Sequence, residues 1–112
     1  METPKDKLKR LTAYDIEPKL FEEDLDGILA TVAMADKNGL APTDEEWEPT
    51  YDLNAAAAAG WLVKAARAFA LTESEPTLGL VVSKIFDNCR SMARIYTAKR
   101  NFTLFQGKRL DN

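Results

Sequence analysis

Apolar positions recur at helical spacing in three stretches of this chain, and strand alternation is absent apart from the short run Phe102 to Phe105. In the first stretch Phe21, Leu25, Ile28, Leu29 and Val32 share one face. Pro18 suits a first helical turn, Glu22, Glu23, Asp24 and Asp26 suit the positive end of its dipole, and Gly39 suits a C-cap, so a helix is predicted over 18–37. The second stretch, 52–71, is the best helix-forming window of the chain. Asp52 can cap it, Ala55 to Ala59 propagate it at little entropic cost, and Gly60 is tolerable if its missing Cβ lets a neighbour approach. Leu62, Ala65, Ala66 and Phe69 form its expected core stripe, with Trp61 and Ala68 at the edge and Lys64 and Arg67 on another face. In the third stretch Leu78, Val82, Ile85, Cys89, Met92 and Tyr96 follow one another at spacings of 4, 3, 4, 3 and 4. That seam predicts a helix over 78–100, about 35 Å long, antiparallel to the alanine-rich helix and started by Thr77.

The remaining segments are shorter or less regular. Thr43 and Glu46 match a capping box for one turn over 43–48 that presents Trp47 to the core, before Pro49 ends it. Residues 1–17 show no sustained period and read as a loosely held basic arm, although Leu8, Leu11, Tyr14 and Ile16 are able to dock. Beyond the last helix, Phe102, Leu104 and Phe105 either fold back onto the core or form an arm for another subunit. The expected fold is therefore an all-α small helical bundle: an N-terminal arm over 1–17, a helical domain over 18–101 and an extended C-terminal arm over 102–112.

Composition narrows the chemistry. At 112 residues there is one modest core, and 46% hydrophobic with 29% charged residues is an ordinary globular balance. The longest apolar run, Ala55 to Val63, is too short for a membrane span, and the charged first thirty residues lack a secretory h-region, so a soluble cytoplasmic product is expected. The chain has no histidine, which excludes His-based acid/base catalysis and His-containing metal sites. A single cysteine, Cys89, lies in the seam of the last helix and suits a small buried hydrophobe. No phosphate-binding glycine motif and no CxxC occurs, Ser83 and Lys84 do not face one another on a helix, and Asp44, Glu45, Glu46 and Glu48 lack the spacing of a calcium loop. No cofactor, metal ligand or catalytic residue is expected.

Charge is the more informative quantity. The net charge is −3, yet residues 1–10 hold four Lys/Arg against two acids, residues 11–76 four against fourteen, and residues 77–112 seven against two. An acidic body with basic ends favours contact with copies of itself or with a polyanion. Arg90 and Arg94 stand four apart on the last helix, a like-charge pair that calls for something negative opposite, and Lys99 and Arg100 follow in its final turn. Two partners fit: phosphates of a nucleic acid, or an acidic face such as Glu22 to Asp26 of a neighbouring subunit.

The run Tyr51-Asp52-Leu53 before the alanines, then Trp61, Lys64-Ala65-Ala66 and Ala68, then Ser83, then Ser91-Met92-Ala93-Arg94 with Tyr96 and Lys99-Arg100, resembles the small head-to-tail connector (adaptor) proteins of tailed bacteriophages. The resemblance covers about residues 51–101. It implies an all-α virion structural protein, not an enzyme, assembled in the host cytoplasm as a homo-oligomeric ring beneath the portal protein that continues the DNA channel toward tail or stopper proteins. It also implies that Arg90, Arg94, Lys99, Arg100, Phe102, Leu104, Phe105, Lys108 and Arg109 meet neighbouring subunits or channel DNA, with Phe102 to Leu110 as an arm to the adjoining ring, and no membrane involved. The alternative left open is a small helical nucleic-acid-binding protein using Arg90, Arg94, Lys99 and Arg100.

Overall fold

A computed structural model of the chain describes residues 2–74, 77 and 79–100. It is all-α, with α1 (Pro4–Thr12), α2 (Glu22–Thr31), α3 (Leu53–Ser74) and α4 (Gly79–Lys99) in chain order. Residues 102–112, expected as an arm, lie outside the described residues.

The two long helices form where the apolar pattern places them. The Asp52 carboxylate accepts the Ala55 N–H at 3.1 Å, capping α3. Asn54 Nδ2 donates to the Lys99 carbonyl at one end, and Phe69 meets Phe86 near the other, so α4 runs antiparallel to α3 along its length. Val82, Cys89 and Ala93 are buried along this contact, with Ile85, Met92 and Tyr96 half-buried beside them, as the seam requires.

The face that α3 turns inward differs from the expected stripe. Ala56, Ala57, Ala58, Trp61, Ala65 and Ala68 are buried, whereas Leu62 is 54% exposed, Phe69 57% exposed and Ala66 exposed. Close approach explains the rotation: the helices come together over the smallest side chains. A Cβ at Gly60 would stand 2.7 Å from Thr12 Cγ2 and 3.3 Å from Leu20 Cδ1, so only glycine lets the end of α1 and the segment after it seat on α3.

The N-terminal residues are part of the core. Thr3 and Asp6 form a reciprocal capping box, Pro4 opens α1, and Ala13 in the left-handed region closes it. Leu8 is fully buried, a gain of about 1.5–3 kcal/mol for one side chain, and Leu11 and Tyr14 pack beside it. Ile16 stays exposed. Residues 4–14 are thus docked rather than loosely held. The carbonyls that α1 leaves open at its C-terminal end are met from α3: Trp61 Nε1 donates to Leu11 O at 3.1 Å, and Lys64 Nζ to Ala13 O at 2.6 Å and Ile16 O at 3.0 Å. Lys64, expected with Arg67 on a face other than the core stripe, is 1% exposed and lies over the Trp61 ring at 4.9 Å. Burial holds its ammonium pKa below the ordinary lysine value, and a cation at the negative end of α1 is the favoured charge there.

The second helix is shorter than its pattern. Instead of spanning 18–37 it begins at Glu22, where Asp24 accepts the Phe21 N–H at 2.7 Å, and ends at Thr31. Gly39 does not cap it. With φ of +80° it sits in a turn built around Asp36, whose carboxylate accepts the N–H groups of Asn38, Leu40 and Glu48. Met34 O receives Trp47 Nε1, and an antiparallel bridge joins Ala33 to Tyr51. The turn near 43–48 is an Asp44 turn, its carboxylate on the Glu46 N–H, rather than a Thr43–Glu46 capping box; Trp47 still pins the loop inward, edge-on to Tyr51.

Candidate interaction surface on α3 and α4

Helical geometry divides the expected basic residues among different surroundings. Arg90 is exposed, its guanidinium 5.7 Å from the Phe86 ring centroid on the flank of α4 that meets Phe69. Arg94, one turn on, is exposed and donates to Ser91 Oγ at 3.2 Å. Lys99 lies over Tyr96 at 5.5 Å and lines a cavity of about 480 Å³ with Lys7, Leu11, Tyr51 and Tyr96. Arg100 closes the final turn through its N–H to Thr97 O. Arg90 and Arg94 therefore share a flank that Lys99 does not. Phe102, Leu104, Phe105, Lys108 and Arg109 lie outside the described residues.

Among the described residues no carboxylate comes within 4.0 Å of Arg90 or Arg94. Of the acids expected to answer them in a neighbour, Glu22, Asp24 and Asp26 are engaged inside the chain. Glu22 takes Lys5 at 2.7 Å and Lys9 at 2.9 Å, Asp26 takes Lys5 at 2.8 Å, and Asp24 holds Arg67 through two bonds of 2.8 and 2.9 Å. The Lys5 and Lys9 ammonium groups draw the Glu22 carboxyl down to about 2, and the bidentate Arg67 guanidinium holds Asp24 below the usual carboxylate range. Glu23, exposed on α2, has no such partner among the described residues.

Next to the Arg90 flank lies the outward face of α3. Ala55, Ala59, Leu62, Ala66 and Phe69 succeed one another at spacings of 4, 3, 4 and 3, and Ala70 borders them. The two charged residues of this span, Lys64 and Arg67, both turn to partners inside the chain, so the outward face between Ala55 and Ala70 carries no charge. The 4-3 spacing was present in the sequence, and only the assignment of Leu62 and Phe69 to the inside concealed it. On the far edge of this face, a groove of about 420 Å³ runs between α2 and α3, lined by Glu23, Gly27, Thr31, Ala59 and Val63.

The other concave feature is a cavity of about 260 Å³ beside Trp61, Lys64, Ile85 and Cys89. Its two reactive groups are held quiet. Burial pushes the Cys89 thiol up, which keeps it protonated, and Lys64 is bonded to two carbonyls. Among the described residues no helix is long and apolar enough to cross a membrane. Comparison with family models, with curated proteins and with solved structures finds no match for this chain.

Proposed function

We propose that this protein is a structural subunit that works by association, a ring-forming head-to-tail connector (adaptor) of a tailed bacteriophage, rather than an enzyme. The observation that carries the proposal is the pairing of an uncharged α3 face, on which Leu62 and Phe69 are more than half exposed, with Arg90 and Arg94 on the adjoining flank of α4. Adjoining apolar side chains beside guanidinium groups have the make-up of a contact surface, in which the apolar part supplies affinity and the charge selects the partner. The span of the connector resemblance, 51–101, coincides with the α3–α4 hairpin that presents this surface. In such an assembly the hairpin packs beneath the portal protein and against neighbouring subunits or tail and stopper proteins, and residues 102–110 reach the adjoining ring.

Imaging of the particle, together with mass spectrometry of purified virions, tests the proposal. The chain is expected at the head-to-tail junction in multiple copies. A chain absent from virions and unable to bind portal or tail components would end it.

A further inference from the structure

The exposed Leu62 and Phe69 side chains of α3 are flanked by opposite charges, and that asymmetry names their partner. On one side stand Arg90 and Arg94 of α4, with the exposed Asp87 one turn before them, which leaves that flank net positive; on the other, across the α2–α3 groove, stands Glu23. Their heights along α3 agree. The Phe69–Phe86 contact fixes the level of α4, which places Arg90 and Arg94 beside the middle of α3, and the Arg67–Asp24 pair fixes α2, which places Glu23 and its groove beside the same turns.

We infer that this face pairs with the same face of a second copy of the chain, the two α3 helices running parallel about a two-fold axis. Only the parallel arrangement brings the basic edge of one copy onto the acidic edge of the other; an antiparallel one sets Arg90 against Arg90 and Glu23 against Glu23. A two-fold axis along the helices sets each residue against its own counterpart, so Leu62 and Phe69 of one copy bury against the same residues of its partner, and the intervening Ala59 and Ala66 layers let the two helices approach closely. The guanidinium groups of Arg90 and Arg94 enter the partner's groove, where Gly27 leaves open space and Glu23 answers their charge. The inference deepens the assembly proposal and rests on it only in taking the chain to associate. A two-fold contact closes at two copies, so a ring uses a further surface besides this one.

Sedimentation equilibrium of the full chain tests it, with a dimer of twice 12.5 kDa expected. Leu62→Glu, at an exposed position, should leave the far-UV circular dichroism unchanged and weaken the dimer by about 100-fold, the Kd moving by two decades. Arg90→Glu with Arg94→Glu should weaken it about tenfold, and adding Glu23→Arg should restore most of that loss. A native chain that stays monomeric up to about 1 mM, a Leu62→Glu variant that pairs as well as the native chain, or a charge reversal that Glu23→Arg fails to rescue overturns the inference. So does a dimer formed by Phe102→Ser/Phe105→Ser but not by the native chain, which would give the face to the chain's own residues 102–105. A native monomer still found in particles refutes the pairing and leaves the assembly proposal standing; a stable dimer missing from particles does the reverse.

Discussion

The two basic regions of this chain use their charges in opposite ways. In the first ten residues Lys5, Lys9 and Arg10 all bind carboxylates of the same chain, Lys5 and Lys9 clasping Glu22 and Asp26 so that α1 is tied to α2. On α4 neither Arg90 nor Arg94 finds a carboxylate among the described residues. Counted along the sequence, the two regions look alike, a basic end on either side of an acidic body. In space one is internal cement and the other is surface. A charge excess near a terminus is therefore informative about partners only after the chain's own acids have been assigned.

The largest effects that separate the regions come from the packing beneath the N-terminal charges. Leu8→Ala should cost about 3 kcal/mol in urea denaturation, because the site is closed by Leu11, Ala56 and their neighbours and cannot collapse. A cost near zero would show α1 to be the loose arm that its irregular pattern suggests. Gly60→Val should cost about 2 kcal/mol by the same measurement, since its added carbons meet Thr12 and Leu20 and push α1 off α3.

Which parts of this fold were readable follows from how each element is held. The hairpin of α3 and α4 was readable because each helix is long, Asp52 caps one, and the seam from Val82 to Tyr96 keeps its period over several turns. The first helix was missed because nine residues with three lysines show only Leu8 and Leu11 as apolar positions, although Thr3 and Asp6 did carry a capping signal with aspartate in place of the usual glutamate. Phe21 looked like the first core residue of α2, yet it stands exposed at the helix start with Arg67 stacked on it. On α3 the assumption that large apolar side chains point inward failed, since helices that approach closely bury alanine and glycine and leave leucine and phenylalanine outside. The same assumption hid the candidate surface. Lys64 was unreadable for a different reason: its two acceptors are carbonyls made available only by the end of α1.

Acid should loosen the N-terminal clasp and leave α4 indifferent. Glu22 is drawn down to about 2 from an ordinary 4.5, and Asp24 and Asp36 are likewise lowered, by the Arg67 guanidinium and by the Glu48, Leu40 and Asn38 N–H groups respectively. A carboxyl whose folded value is depressed adds stability that is complete above its unfolded value and disappears as pH falls through the folded one. The melting temperature should hold down to about pH 5 and fall progressively from there toward pH 2. Lys5→Met with Lys9→Met should flatten the part of that fall due to Glu22, whereas Arg90→Ala with Arg94→Ala should leave the whole profile in place. Equal flattening by both pairs would erase the distinction between the two regions.

The smallest expected effect is also the most discriminating. In the separated chain, Arg90→Ala with Arg94→Ala should change unfolding free energy by no more than about 0.5 kcal/mol, since exposed side chains without ion partners in their own chain contribute little to the fold. If these arginines serve a nucleic acid, the native chain must bind duplex DNA with an affinity that falls steeply with salt, and removing two phosphate contacts must lower the slope of log affinity against log salt by about 2. If they serve another protein chain, duplex binding is absent even at ~50 mM salt, where phosphate contacts are strongest. The geometry favours the second outcome. A phosphate backbone is tracked by cations in a row, whereas here the four basic residues of the helix end part company, Lys99 turning to Tyr96 and the cavity beside Lys7 while Arg90 and Arg94 flank an uncharged strip. Two guanidinium groups beside apolar surface match the polar rim of a protein contact, where charge sets register and the apolar strip supplies the affinity.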